Sequence, residues 1–276
     1  MVLSIPFTTL IIKDQYEELT VRFVPEGYPP VYIIDFNYEV IEGGSDVYVS
    51  SITRHNSDLH VVFLNRTNAE VKINVFIIQG RELLARQHNC TNPIYVGTTK
   101  KVKIGRGPSE TITIKSDITY DNIYMLGYTM KVISGTQQTR VNGFLLDSFD
   151  NALKLTLYND GGGESEVEVG ILMINPEVER TSRNIPNVPE PCLIQGEYVT
   201  AQFDGNNVVS EVTLTPKQNY GAIVSFTFKP QFDSPNDIYL SERYYEGSSL
   251  KLKFINRSGA QGTIDVCAWE TAPYQY

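Results

Sequence analysis

Cysteine, histidine and tryptophan are scarce in this chain, at three, three and one residues, and each scarcity closes off a class of chemistry. Cys90, Cys192 and Cys267 form no C-x-x-C pair, so neither a disulfide framework nor a zinc knuckle is spelled out. Cys90 and Cys192 each stand shortly before an apolar strand and are the one pair a bridge would join. His55, His60 and His88 lie outside any H-E-x-x-H motif, and no acidic calcium loop is present, so no metal site is expected. A G-x-S-x-G elbow and a P-loop ending in Gly-Lys-Ser/Thr are also missing. No catalytic residue is nominated, no cofactor is expected, and the chain reads as a non-enzyme.

Long apolar runs are absent too. Nothing approaches the roughly 18 residues of a membrane helix. The opening MVLSIPFTTLIIKD lacks a positive region and carries Pro6 within its apolar segment, so it reads as a strand rather than a signal peptide. Positive charge is in deficit, with a net charge of -9 and a pI near 4.9. No general attraction to a phosphate backbone or an anionic membrane follows, so neither nucleic acid nor membrane insertion is expected. The local exception, Lys100, Lys101, Lys103 and Arg106, reads as a solvated strand and turn.

What the chain does have is repetition. LHVVFLNRTNAEVKINVFII from Leu59 to Ile78 pairs two runs of alternating apolar residues around a polar turn, with an Asn six residues after the Leu. The pattern recurs at Leu153–Ile174 and Leu250–Trp269. Alternation with period two marks a β-hairpin with one buried face. Upstream, YIIDFNYEV, YMLGYTMKV and AIVSFTFKP align on Phe36, Tyr128 and Phe226, and LTV, ITI and VTL align on Leu19, Ile112 and Val212. Blocks recurring in one order at one period indicate an internal repeat.

The first copy predicts strands at Phe7–Ile12, Leu19–Val24, Val31–Ile41 and Val47–Ile52, followed by the hairpin. The expected fold is therefore all-β: three tandem antiparallel β-sandwich units, jelly-roll or Ig-like, of about 92 residues each, one third of the 276-residue chain. The units are placed at 1–86, 87–184 and 185–276. Arg81–Gln87 could form a helical turn at the first boundary, and Pro176, Pro186, Pro189 and Pro191 make an extended linker at the second.

Parity assigns faces. Leu59/Val61/Phe63, Leu153/Leu155/Leu157 and Leu250/Leu252/Phe254 should point into the cores. Val71/Ile73/Val75, Val167/Val169/Ile171 and Ile264/Val266/Ala268 should meet them from the second strand. The opposite face begins polar but turns apolar at Phe76, Ile78, Leu172, Ile174 and Trp269, which makes those five the candidate interface with a neighbouring unit or subunit. Tyr244 and Tyr245, read as loop aromatics, are the candidate ligand-binding pair. Asn65, Asn89 and Asn256 head N-x-S/T sequons, although Asn65 and Asn256 hold equivalent hairpin positions where turn geometry alone favours Asn.

The hairpins LHVVFLNRTNAEVKINVFII, LKLTLYNDGGGESEVEVGILMI and LKLKFINRSGAQGTIDV resemble the strand, Asn turn, strand signature of adhesion-type Ig-like modules of surface proteins. The whole layout also resembles the turret, spike, capsid or tail components of virions, which are made in the host cytoplasm without an export signal. That resemblance implies a structural protein acting through contacts with other subunits in a homo- or hetero-oligomer, located in a virion or assembled particle. A cytoplasmic location is the alternative. The competing functional reading is a carbohydrate-binding or adhesion module that holds a glycan with its aromatics.

Overall fold

The computed structural model describes residues 2–15, 17–23, 31–44, 46–55, 58–81, 94–116, 125–135, 138–147, 152–174, 193–204, 208–217, 223–231, 238–257 and 259–271. Side chains are described for most of these.

The first six strands are β1 (Val2–Ile12), β2 (Glu18–Phe23), β3 (Val31–Glu42), β4 (Val47–His55), β5 (Asp58–Asn65) and β6 (Val71–Arg81). The second six are β7 (Ile94–Ile104), β8 (Gly107–Lys115), β9 (Met125–Ser134), β10 (Thr139–Asp147), β11 (Ala152–Asn159) and β12 (Ser165–Ile174). The third six are β13 (Leu193–Phe203), β14 (Val208–Leu214), β15 (Ile223–Gln231), β16 (Ile238–Glu246), β17 (Ser249–Asn256) and β18 (Gly262–Thr271). All pairing is antiparallel, and no helix occurs among the described residues. The expected boundaries near 86 and 184, the helical turn after Arg81 and the proline linker lie outside the described residues.

Within each six, the first strand pairs with the last, the second with the fifth, and the third and fourth flank those pairs. This nested pairing is a ribbon rolled on itself, a short jelly-roll-like sandwich. The inner faces are those assigned by parity. Leu59, Val61 and Phe63 oppose Val71, Ile73 and Val75, all at most 1% exposed, and the same holds for Leu153/Leu155/Leu157 against Val167/Val169/Ile171.

The copies align with a two-residue offset on their last strands. Ile12 pairs with Val71, Ile104 with Ser165 and Phe203 with Gly262. Val71, Ser165 and Gly262 are therefore equivalent, whereas matching by the first apolar residue set Val71 against Val167 and Ile264. An even offset preserves parity, so the faces are unchanged. It also makes Ile78, Leu172 and Trp269 true counterparts, paired with Asp35, Gly127 and Ser225.

The three sandwiches share their sheets. Each six-stranded sheet takes three strands from one unit and three from another, in the orders β1-β6-β3-β16-β17-β14, β13-β18-β15-β10-β11-β8 and β2-β5-β4-β9-β12-β7. The junctions are β3 with β16, β4 with β9 and β10 with β15, so a third strand always meets a fourth strand of the next unit. First joins second, second joins third, and third joins first. The ring closes around a pseudo-threefold axis, with β4, β10 and β16 innermost and the first two strands of each unit at the outer sheet edges.

Candidate functional site

The axial strands carry the least conventional side chains in the molecule. Each has a bulge, between Val49 and Ser51, Val141 and Gly143, and Leu240 and Glu242, which gives the three strands a matched bend. Register then fixes the counterparts. Tyr48, Arg140 and Tyr239 form one layer across the axis, and Ile52, Phe144 and Arg243 form another.

The first layer is two tyrosines and an arginine, all buried. The Arg140 guanidinium carbon lies 4.4 Å from the Tyr239 ring centre, 4.7 Å from Tyr158 and 5.1 Å from Tyr48. Stacking on three aromatic faces partly compensates a charge removed from water. Asp160 stands 3.8 Å from Arg140 and forms a 2.5 Å ion pair with Arg66. Asp46 receives the Tyr239 hydroxyl and the Arg257 guanidinium. Burial pushes the Tyr48 and Tyr239 phenols up to about 12, against the downward pull of Arg140. Burial also lowers the Arg140 guanidinium below its ordinary value.

The second layer has the same logic with another charge. Arg243 lies over Phe36 at 4.1 Å and grips Asp35 with two hydrogen bonds of 3.0 and 2.6 Å. Arg54, its guanidinium lowered to about 10 by burial against the pull of Asp35, lies close by. Glu242 at the bulge accepts from the Val40 backbone and from Lys253. Burial lifts its carboxyl above the usual range, while Lys253 and Val40 pull it down. Between the layers is a cavity of about 40 Å³, lined by Phe36, Tyr38, Tyr128, Phe144, Phe226 and Arg243 among others. That is room for a water molecule or two rather than an organic substrate. Among the described residues no cluster of three or more His, Cys, Asp and Glu could hold a metal. The axis is organised as a tie between three units.

The candidate interface residues divide. Ile78 and Leu172 are buried within the chain, and Leu172 lines a second cavity with Arg54 and Leu59 of the first unit and Ser225 and Arg243 of the third. Two of the five thus sit in the interior, one of them between units. Phe76 and Trp269 are half-buried, and the side chain of Ile174 lies outside the described residues. Tyr244 and Tyr245 lie on β16 rather than in a loop. The Tyr245 hydroxyl donates to the Ile223 carbonyl beneath the surface, and Tyr244 is held between Glu211 and Lys253.

Asn65 and Asn256 are fully buried, and their side-chain amides donate to the Ala69 and Ala260 carbonyls across the hairpin turn. Asn159, which heads no sequon, makes the same bond to Gly163, so the turn explains Asn at all three positions. Asn89, Cys90, Cys192 and His88 lie outside the described residues, and the half-buried Cys267 thiol donates weakly to the Ala268 carbonyl. Lys101 and Lys103 sit opposite Glu168 and Glu166, and Lys103 pairs with Glu164 at 3.1 Å, so the basic strand is countered by an acidic neighbour.

Sequence reasoning missed the axial arginines. A signal was present: Arg140 and Arg243 occupy positions where the other copies carry aromatic or aliphatic residues. Reading it required the register across the bulge. Fold and axis together define an all-β, single-chain pseudo-trimer. Comparison with known families, with curated proteins and with solved structures returns no match. No helix among the described residues is long and apolar enough to cross a membrane.

Proposed function

We propose that this chain is a non-enzymatic assembly protein, a single-chain stand-in for a trimer that works within a larger particle such as a virion capsid, turret, spike or tail. The observation that supports this reading is the ring itself: polar and aromatic side chains at register-equivalent positions are spent on joining three units, while six strands are left at sheet edges on the outside. An edge strand offers unpaired backbone donors and acceptors to another chain. β1, β13 and β14 also carry exposed apolar side chains there, Ile11, Tyr198 and Val209. The partners are then further structural subunits, copies of this chain or others.

Light scattering over a concentration series tests the reading, together with pull-down from the native source. Concentration-dependent oligomers or a stoichiometric structural partner are expected. A strict monomer with no partner contradicts it.

Glycan binding is the second reading, and one observation favours it over the tyrosine pair first considered. Tyr198 is 56% exposed on β13, beside a polar row in which Asp265 accepts from Thr200 and Gln231. An aromatic face next to fixed polar groups suits a sugar ring. Glycan-array binding that disappears in Tyr198→Ala would support this reading, and an array without hits would remove it.

A further inference from the structure

The three junctions have the same topology but not the same chemistry. Between the second and third units the contact is mainly aromatic and aliphatic, with no carboxylate clamp among the described residues, and its polar ties are the Arg140 stack on Tyr239 and the Ser225 hydroxyl donating to the Leu126 carbonyl. Phe144 of β10 meets Phe226 and Phe228 of β15 at ring-centre distances of 5.8 and 5.6 Å. The buried apolar residues of both units form one continuous cluster, from Ile104 to Ala268. The first unit has a cluster of its own, running from Ile12 to Ile77, and half-buried Tyr128 packs against both. A small patch of Tyr48, Leu64, Tyr239 and Ile255 adds apolar contact between the first and third units.

Charged and hydrogen-bonded clamps dominate the remaining attachment of the first unit. Asp35 holds Arg243, Asp46 holds Arg257 and Tyr239, and Arg66 holds Asp160. The Val40 amide donates to Glu242, the Tyr38 hydroxyl to the Leu240 carbonyl and the Ser51 hydroxyl to the Met130 carbonyl.

These two kinds of junction respond differently to separation. Parting the second and third units would expose aromatic surface to water, which is unfavourable throughout the opening. Parting the first unit exposes ions and hydrogen-bonding groups that regain hydration, and such pairs contribute little beyond the desolvation they undergo. Asp35, Asp46 and Asp160 all retain some solvent access, at 23%, 12% and 22% of the side chain, so water reaches each clamp from one side.

We propose that the ring is built to open at its first unit: Val2–Arg81 is a latched module on a preformed block made of the second and third units, and its latches are the carboxylates Asp35, Asp46 and Asp160. The opened form would present β9 and β16 as new sheet edges. This inference stands apart from the assembly reading and does not depend on it.

Native-state hydrogen exchange on the full chain, read by peptide mass spectrometry in low denaturant, tests it. The expected result is that amides of β1 to β6 exchange through an opening that leaves β10, β11, β15 and β18 protected. Asp35→Asn combined with Asp46→Asn should speed exchange in β1 to β6 at least about tenfold and leave those four strands unchanged, whereas Phe144→Ala should speed exchange in β10 and β15. A single global opening shared by all eighteen strands in the unmodified chain would overturn the proposal. So would a double variant that accelerates every strand alike.

Discussion

At the scale of single residues, the axis shows how one chain can place different side chains at equivalent positions. A homotrimer would put three identical groups against one another, and three arginines or three buried tyrosine hydroxyls would repel or go unsatisfied. Here Tyr48 and Tyr239 receive Arg140 between them, and Ile52 and Phe144 share their layer with Arg243. The buried phenols give a pH-dependent prediction. Their folded pKa is raised to about 12 from an ordinary value near 10. A raised pKa means the stabilisation is complete below about pH 10 and is lost as pH climbs from there through about 12. Unfolding measured across that window should show a steep alkaline loss of stability, and Tyr48→Phe with Tyr239→Phe should make it shallower, the remainder belonging to Tyr38, Tyr128 and Tyr245, whose phenols burial also raises. An unchanged alkaline limb in the double variant would show that these phenols stay accessible.

At the scale of strands and turns, most of the fold was legible and the reason is local. Period-two alternation survives any tertiary context in which one face is buried, so strand positions and inner faces follow from Leu59, Val61, Phe63 and their copies. Turn chemistry was legible as well: the Asn65, Asn159 and Asn256 amides brace their hairpins through the same backbone bond. Pairing between units was not, because a third strand meeting a fourth strand of another unit leaves no periodic trace. Phe36, Tyr128 and Phe226 look like core residues whether the units stand in a row or in a ring. The placement of Tyr244 and Tyr245 was hidden for a related reason, since in a polar neighbourhood they resemble a loop until β16 is seen to run through them.

Turn geometry supplies its own prediction. Gly43 and Gly135 hold equivalent places with φ near +92°, and a Cβ there would lie 2.4 Å from the Glu70 carbonyl oxygen and 2.6 Å from that of Glu164. Ala at either position should cost about 1 to 3 kcal/mol by denaturant titration. Gly162→Ala, in open space at a hairpin tip, should change stability by less than about 0.5 kcal/mol.

At the scale of the whole molecule, a chain with a net charge of -9 joins its three units through charge as well as hydrocarbon, with Arg243 on an axial strand and Arg66 and Arg257 at hairpin turns supplying cations. The first two strands of each unit form the outer sheet edges. The ring rests on the first unit meeting the third, because tandem sandwiches in a row would satisfy every contact inside a unit and lack only that one. Asp35 on β3 and Arg243 on β16 span the closure directly. A double-mutant cycle with Asp35→Ala and Arg243→Ala, read by equilibrium unfolding, measures whether they touch. The closed ring predicts a coupling energy of about 1 to 3 kcal/mol, whereas additivity within about 0.5 kcal/mol would mean that the first and third units do not meet.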